Sequence, residues 1–376
     1  MGKPVIDWSY VERVQQGELD LDWLRKWNHE VDGEVVPSRI GLTMRDIAVG
    51  QYGDIPETAP MRTMAPRGSE RDADLPDMGY TINTKDEVWA ENVMDLYEEG
   101  VSRQWSATRD IPWSEIPDLD PDIEHAMCQF STFLSEVEMI ASDFPAKWMW
   151  QINHDFVETK MFLASQIMDE ARHTEVFRKR ALAKGGGLGR AKTTTEYFLK
   201  LVLDAQNYQE GSALMHLLGE GMVLSVFRAG ELISPSPVEK KIFRLCMQDE
   251  ARHVAYGTMH LRHVLEQDPD KAEEFHEYLD AGEEIIAALF TVPEVVEPLT
   301  VIIAGGADAA ADVGDEASNM LQGRVITEYL QRCDRAGLDR RSRIKIPGVL
   351  TGFDPATAGV TSADAYAQAG QPVAVN

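Results

Sequence analysis

Five residues occur twice, eighty positions apart: Asp169-Glu170-Ala171-Arg172-His173 and Asp249-Glu250-Ala251-Arg252-His253. On an α-helix a Glu and a His three apart share a face, so each copy offers one carboxylate and one imidazole to a single point. Two such points brought together hold the donors that a pair of metal ions needs, provided two further helices each add a glutamate. A lone Glu-x-x-His arises by chance on a charged helix face, but a duplicated five-residue string asks for a common task. Phe162, Leu163, Ile167 and Phe177 surround one copy, and Phe243, Leu245, Val254 and Tyr256 the other. Acids in such apolar surroundings are costly unless cations accompany them.

The elements that would carry these residues are helical throughout. Residues 1–85 are spotted with Pro, Gly and charge and read as an irregular arm, with a small helix near Val11 to Trp27. Val88, Trp89, Val93, Leu96, Tyr97 and Val101 give helical spacing between Asp86 and Ala107. Asp118-Leu119-Asp120-Pro121-Asp122 is a helix start, followed by a strongly helical run to Ala141 and a Trp-rich piece from Ala146 to Gln151. A long helix is expected from Asp155 to Lys184, ended by Gly185-Gly186-Gly187-Leu188-Gly189. Helical pattern returns from Thr195 to Ile233, stops at Ser234-Pro235-Ser236-Pro237 and resumes from Val238 to Glu266. Two or three more helices fit between Lys271 and Ala336. The expected organisation is all-α: arm 1–85, bundle 86–266, packed C-terminal helices 267–346 and a loose tail 347–376.

Hairpin arithmetic supplies the two missing carboxylates. Antiparallel helices bring residues level when they lie equally far from the turn. Glu220 and Glu250 are 30 apart, which puts the turn at the Ser-Pro-Ser-Pro breaker. For the first hairpin, Glu136 and Glu138 both place the turn with Glu170 inside Gln151-Ile152-Asn153-His154-Asp155, and the helix then runs through Pro145. Glu138 lies about 80° from the centre of the inward stripe and Glu136 about 120°, so Glu138 is preferred and Glu136 held in reserve. The predicted ligand set is Glu138, Glu170, His173, Glu220, Glu250 and His253. Four carboxylates neutralise two ferrous ions, and oxygen-rich sites with one nitrogen per metal suit iron or manganese better than zinc or copper.

Composition narrows the partners. A net charge of −27 over 376 residues repels nucleic acid and anionic membranes. Cys128, Cys246 and Cys333 fit no zinc spacing, and reduced thiols in the cytoplasm are the default expectation. The N-terminus lacks an apolar signal core and no run is long enough to span a bilayer. Nothing in the chain opposes a homodimer.

Glu138 within Ser135-Glu136-Val137-Glu138-Met139-Ile140-Ala141, Gly219-Glu220-Gly221 and the paired Asp-Glu-Ala-Arg-His strings resemble the ferritin-like di-iron oxygenases and oxidases. These include hydroxylase subunits of bacterial multicomponent monooxygenases, ribonucleotide reductase small subunits and arylamine N-oxygenases. The resemblance covers about residues 86 to 266. It implies a four-helix bundle with extra N- and C-terminal helices, holding two iron ions; a manganese–iron pair fits the same ligands. It implies that Asp169 and Asp249 accept from the imidazole of the opposite copy, with Arg172 and Arg252 completing the network.

Three departures narrow this reading. Phe177 stands where radical-forming subunits carry a tyrosine, Cys246 where N-oxygenases carry an extra histidine, and Leu224 where soluble hydroxylases carry a threonine. His216, four residues before Glu220, is left as a ligand, a donor beside the ligands, or a core histidine. Leu134, Ala141, Phe177, Leu224 and Phe227 are expected to line an apolar pocket.

The implied activity is use of O₂ to hydroxylate, N-oxygenate or desaturate a small organic substrate, with an iron-handling ferroxidase as the alternative. About 85 residues before the bundle and over 100 after it favour an enzyme with a covered pocket. No flavin or iron–sulfur motif is visible, so electrons are expected from a separate reductase or ferredoxin.

Overall fold

The computed structural model describes residues 5–25 and 33–348. Most of the expected tail, 347–376, therefore lies outside the described residues. Among the described residues, twelve α-helices follow in order: α1 (Trp8–Gln15), α2 (Asp22–Arg25), α3 (Val93–Ser102), α4 (Pro121–Met149), α5 (Val157–Leu182), α6 (Thr193–Asp204), α7 (Tyr208–Ser212), α8 (Glu220–Ile233), α9 (Pro237–Gln267), α10 (Ala272–Leu289), α11 (Pro293–Ala304) and α12 (Ala307–Ala336). Among the described residues there is no strand, only three isolated bridges.

Two long antiparallel hairpins, α4–α5 and α8–α9, form the kernel, with α3 against α5 and α9 and the trio α10–α12 against α4, α6, α8 and α9. Local chemistry starts and stops these helices as the sequence suggests. Pro121 opens α4 with Asp122 and Glu124 in its first turn, where carboxylates oppose the helix dipole favourably. Ser236 caps α9, its Oγ accepting from Val238 N at 3.2 Å, and Pro237 follows as the first helical residue. α4 runs on through Pro145 to Met149, and the first turn comes at Trp150–Phe156, as the arithmetic requires.

Side chains tie the helix ends together. Arg180, near the end of α5, donates to Glu239 at the start of α9 and to Glu124 at the start of α4 (2.8 and 2.9 Å). Lys147 Nζ donates to the carbonyls of Leu203 and Ala205, both at 2.7 Å, where α6 leaves its last carbonyls unpaired. The arm is pinned at the other end of α5, where Arg67 pairs with Glu158 and Arg71 with Asp155.

Three expectations change. The helix near Val11 to Trp27 is two short pieces separated at Gly17 (φ +83), and residues 26 and 27 lie outside the described residues. Between Asp86 and Ala107 the helix shrinks to α3, because a Thr84–Glu87 capping box closes a separate 3₁₀ turn at Lys85–Glu87. The run from Thr195 to Ile233 breaks at 205–207, where Asn207 accepts from Glu210 N at 2.8 Å and starts α7 afresh. It then passes through a π-helical turn, Ala213–Gly219, which ends at Glu220. Gly257 allows that turn to approach α9, since a Cβ there would sit 2.3 Å from His216 Cβ.

Candidate metal centre

Four helices deliver six donors to one buried point: Glu138 from α4, Glu170 and His173 from α5, Glu220 from the start of α8, and Glu250 and His253 from α9. They fall into two overlapping groups, Glu138–Glu170–His173–Glu250 and Glu170–Glu220–Glu250–His253, each with one donor atom per residue inside 4.8 Å. Glu170 and Glu250 belong to both. The shared carboxylates span the pair with opposite oxygens. Glu170 Oε2 lies 3.2 Å from His173 Nδ1 and its Oε1 2.8 Å from His253 Nδ1. Glu250 Oε1 lies 3.2 Å from His173 Nδ1 and its Oε2 3.6 Å from His253 Nδ1. Glu138 Oε2 flanks His173 at 3.3 Å and Glu220 Oε1 flanks His253 at 3.7 Å.

Behind the histidines the copies cross over. His173 Nε2 meets Asp249 Oδ2 at 3.2 Å and His253 Nε2 meets Asp169 Oδ2 at 3.3 Å. An Nε2–H donated to Asp leaves Nδ1 as the lone-pair nitrogen facing the carboxylates. Arg172 and Arg252 each donate to both aspartates. Trp105 adds a contact that no spacing in the sequence announces: its Nε1 donates to Asp249 Oδ2 at 2.7 Å, while Arg172 stacks over its ring at 4.9 Å.

The donor set fits two divalent ions. Glu138 Oε1, Glu170 Oε1, Glu220 Oε2, both Glu250 oxygens and His253 Nδ1 are buried with no hydrogen-bond partner among the described residues. Lone pairs turned on one another at these distances need a cation between them. Six buried carboxylates face two buried guanidiniums in Arg172 and Arg252, leaving four negative charges, which two divalent ions match. Burial pushes Glu138 and Glu220 well above the usual carboxylate range, and the neighbouring glutamates add to it. Burial acts the same way on Asp249, but the hydrogen bond from His173 and the charges of the Arg252 and Arg172 guanidiniums overcome it and hold Asp249 low.

Glu136 stays out of the cluster. It is half-buried, faces Glu196 and is pushed up to about 7, first by burial and then by that neighbour. His216 enters neither group. It belongs to a buried chain that runs Ser212 Oγ to His216 Nδ1 (2.9 Å), His216 Nε2 to Gln166 Oε1 (3.2 Å) and Gln166 Nε2 to Glu220 Oε1 (2.7 Å). The chain needs a neutral imidazole, and burial holds His216 well below its ordinary value. Gln166 was not singled out in the sequence, since one amide on a helix face carries no signal. Cys246 is buried, its thiol pushed up to about 12, chiefly by burial.

Glu138, Glu220 and Glu250 also form part of the wall of an apolar cavity of about 140 Å³. A void of about 150 Å³ accommodates benzene. Leu134 and Ala141 line it as expected; Phe177, Leu224 and Phe227 do not. α8 turns Met222, Val223 and Val226 to the cavity, which leaves Leu224 and Phe227 off that face. Phe227 packs instead with Phe177 and Phe243, ring centroids 5.4 and 5.9 Å away. The rest of the wall comes from Met215 and Gly219 of the π turn, from α6 and from α10–α12, whose docking onto the bundle periodicity does not specify. A surface groove between α11 and α12 shares Phe290, Val296, Thr300 and Ser318 with the cavity. No single helix among the described residues is long and apolar enough to cross a membrane. α10 and α11 reach that apolarity only together, across a 62° bend, and line the cavity.

The sequence matches no protein-family model and no curated protein. Solved structures do resemble it. An R2-like ligand-binding oxidase with aerobically reconstituted Mn/Fe cofactor superposes at a TM-score of 0.53 and 17% identity, over 67% of this chain and 94% of that one. A variant of such an oxidase with Fe/Fe cofactor gives 0.54 and 16%, over 67% and 95%. At this identity the likeness speaks to the fold, which is ferritin-like and all-α.

Proposed function

We propose that this chain is an O₂-dependent dimetal oxidoreductase that oxidises a small organic molecule held in the apolar cavity. One observation carries the reading: a donor set with two shared carboxylates, suited to two ions, forms part of the wall of a ligand-sized hydrocarbon cavity. That the similar structures are oxidases with Mn/Fe or Fe/Fe cofactors supports it. Glu138, Glu170, His173 and Glu250 would hold one ion, and Glu170, Glu220, Glu250 and His253 the other. With two iron ions, or one manganese and one iron, the centre supplies reduction of O₂ coupled to oxidation of an organic molecule.

The chain's own groups set the conditions. Asp249 and Asp169 keep each imidazole turned with Nδ1 inward. Gln166 holds one Glu220 oxygen and leaves Oε2 free to ligate. The apolar lining keeps bulk water from the donor set. In a monooxygenase reaction, one O₂, two electrons and two protons with the substrate give an oxygenated product and one water. We assign the electrons to a separate reductase or ferredoxin.

Anaerobic titration with manganese(II), followed by electron paramagnetic resonance and metal analysis, is expected to saturate at two ions per chain. Glu170→Ala and His253→Ala should each abolish two-ion loading. In a parallel loading with iron(II) and O₂, uptake of many irons per chain would instead make this an iron-handling protein, and full manganese loading of either variant would overturn the ligand set.

A further inference from the structure

Away from the three glutamates, the cavity wall carries four polar side chains: Thr195, Thr300, Ser318 and Gln322. Three are occupied within the protein. Thr300 Oγ1 donates to Val296 O at 3.3 Å, and Gln322 Nε2 donates to Ser318 Oγ at 3.3 Å. Thr195 differs. It sits in the first turn of α6, is 1% exposed, and its hydroxyl has no hydrogen-bond partner among the described residues. A buried hydroxyl left unpaired is unfavourable, and a valine of nearly the same shape would fill the position without that cost. The cavity wall also contains no Lys, Arg or His, so in the metal-free protein a bound anion meets no counter-charge there.

We propose that the cavity accepts an uncharged, largely hydrocarbon molecule about the size of a substituted benzene, whose single hydrogen-bonding group (a hydroxyl, carbonyl or amine) is met by Thr195 Oγ1. The inference rests on the reading of this cavity as the substrate site and supplies its specificity. Thr195 acts as a specificity-determining residue. The remaining wall, phenylalanines and aliphatic side chains, reads only bulk and shape, where discrimination is modest; one matched hydrogen bond in such surroundings discriminates more sharply.

The test uses the full chain and three probes of one shape: toluene, 4-methylphenol and 4-methylbenzoate. Binding is measured by calorimetry without O₂ on the metal-free protein, where no ion is present to ligate the carboxylate. The expected order is 4-methylphenol tightest, toluene weaker and 4-methylbenzoate weakest. Thr195→Val should weaken 4-methylphenol about fivefold and leave toluene unchanged, while Thr195→Ser retains the preference. Equal binding of phenol and toluene by the natural chain, tightest binding of the benzoate, or an unaltered preference in Thr195→Val would each overturn the inference. The dimetal reading stands or falls separately, on the manganese titration, because the probe ranking needs neither turnover nor metal.

Discussion

Asp249 accepts from four groups at once: Trp105 Nε1 at 2.7 Å, Arg172 at 2.9 Å, Arg252 at 2.6 Å and His173 Nε2 at 3.2 Å. Only an ionised carboxylate has acceptor sites for all four. Asp249→Asn should therefore weaken manganese(II) binding about 10–100-fold with the fold retained, as read by paramagnetic resonance titration beside circular dichroism. Unchanged affinity would remove Asp249 from the proposed role. Glu138→Gln and Glu136→Gln make a sharper pair. The first should cost one of two ions, and the second should leave both, since Glu136 faces Glu196 outside the cluster. His260 gives a pH prediction away from the donors. It is buried with Nδ1 donating to Trp89 O at 2.9 Å, and burial pulls it to about 4 against an ordinary 6.5. The unfolded chain takes up this proton first, so stability is full above pH 6.5 and falls as pH drops toward 4, by up to about 1.4 kcal/mol per pH unit. His260→Gln should flatten that stretch of the denaturation-versus-pH curve.

At the scale of helices, Arg180 joins the ends of α4, α5 and α9 through Glu124 and Glu239 with almost no solvent contact. Arg180→Met strands the buried Glu239 and is expected to cost about 3–5 kcal/mol in chemical denaturation at neutral pH. A loss under about 1 kcal/mol would show that the junction repacks. The hairpins themselves were legible because proline and turn residues are local signals: Pro121, Pro235 and Pro237 mark boundaries wherever the helices later pack. The same holds for the duplicated string and for Glu220, whose partner could be found by counting. The break at 205–207 was legible in principle, since Asn207 is a good N-cap, but the apolar period runs straight across it. The π turn at Ala213–Gly219 leaves no trace in residue type, because one extra residue per turn is settled by packing against α9 and Gly257. For the same reason Phe177, Leu224 and Phe227 were misplaced. An inward-facing apolar residue can meet a cavity or a neighbouring ring, and periodicity does not distinguish them.

Over the whole molecule, a kernel with six buried carboxyl groups against two buried guanidiniums makes metal content a determinant of stability. Chelation should lower the thermal midpoint, and manganese(II) at a hundredfold excess over its dissociation constant should restore about 2.7 kcal/mol per site. A midpoint indifferent to both would contradict a cation-dependent kernel. The layout has one more consequence. All six donors come from α4, α5, α8 and α9, whereas Ile286, Leu289, Leu299, Leu321 and Val325 on α10–α12 wall the cavity without supplying a donor. Part of the wall is thus separable along the chain from the donors, while α4 and α8 serve both. Under the proposed function, substitutions confined to residues 272–336 would reshape the visor over the cavity and so change which guest fits, with the donor set unaltered.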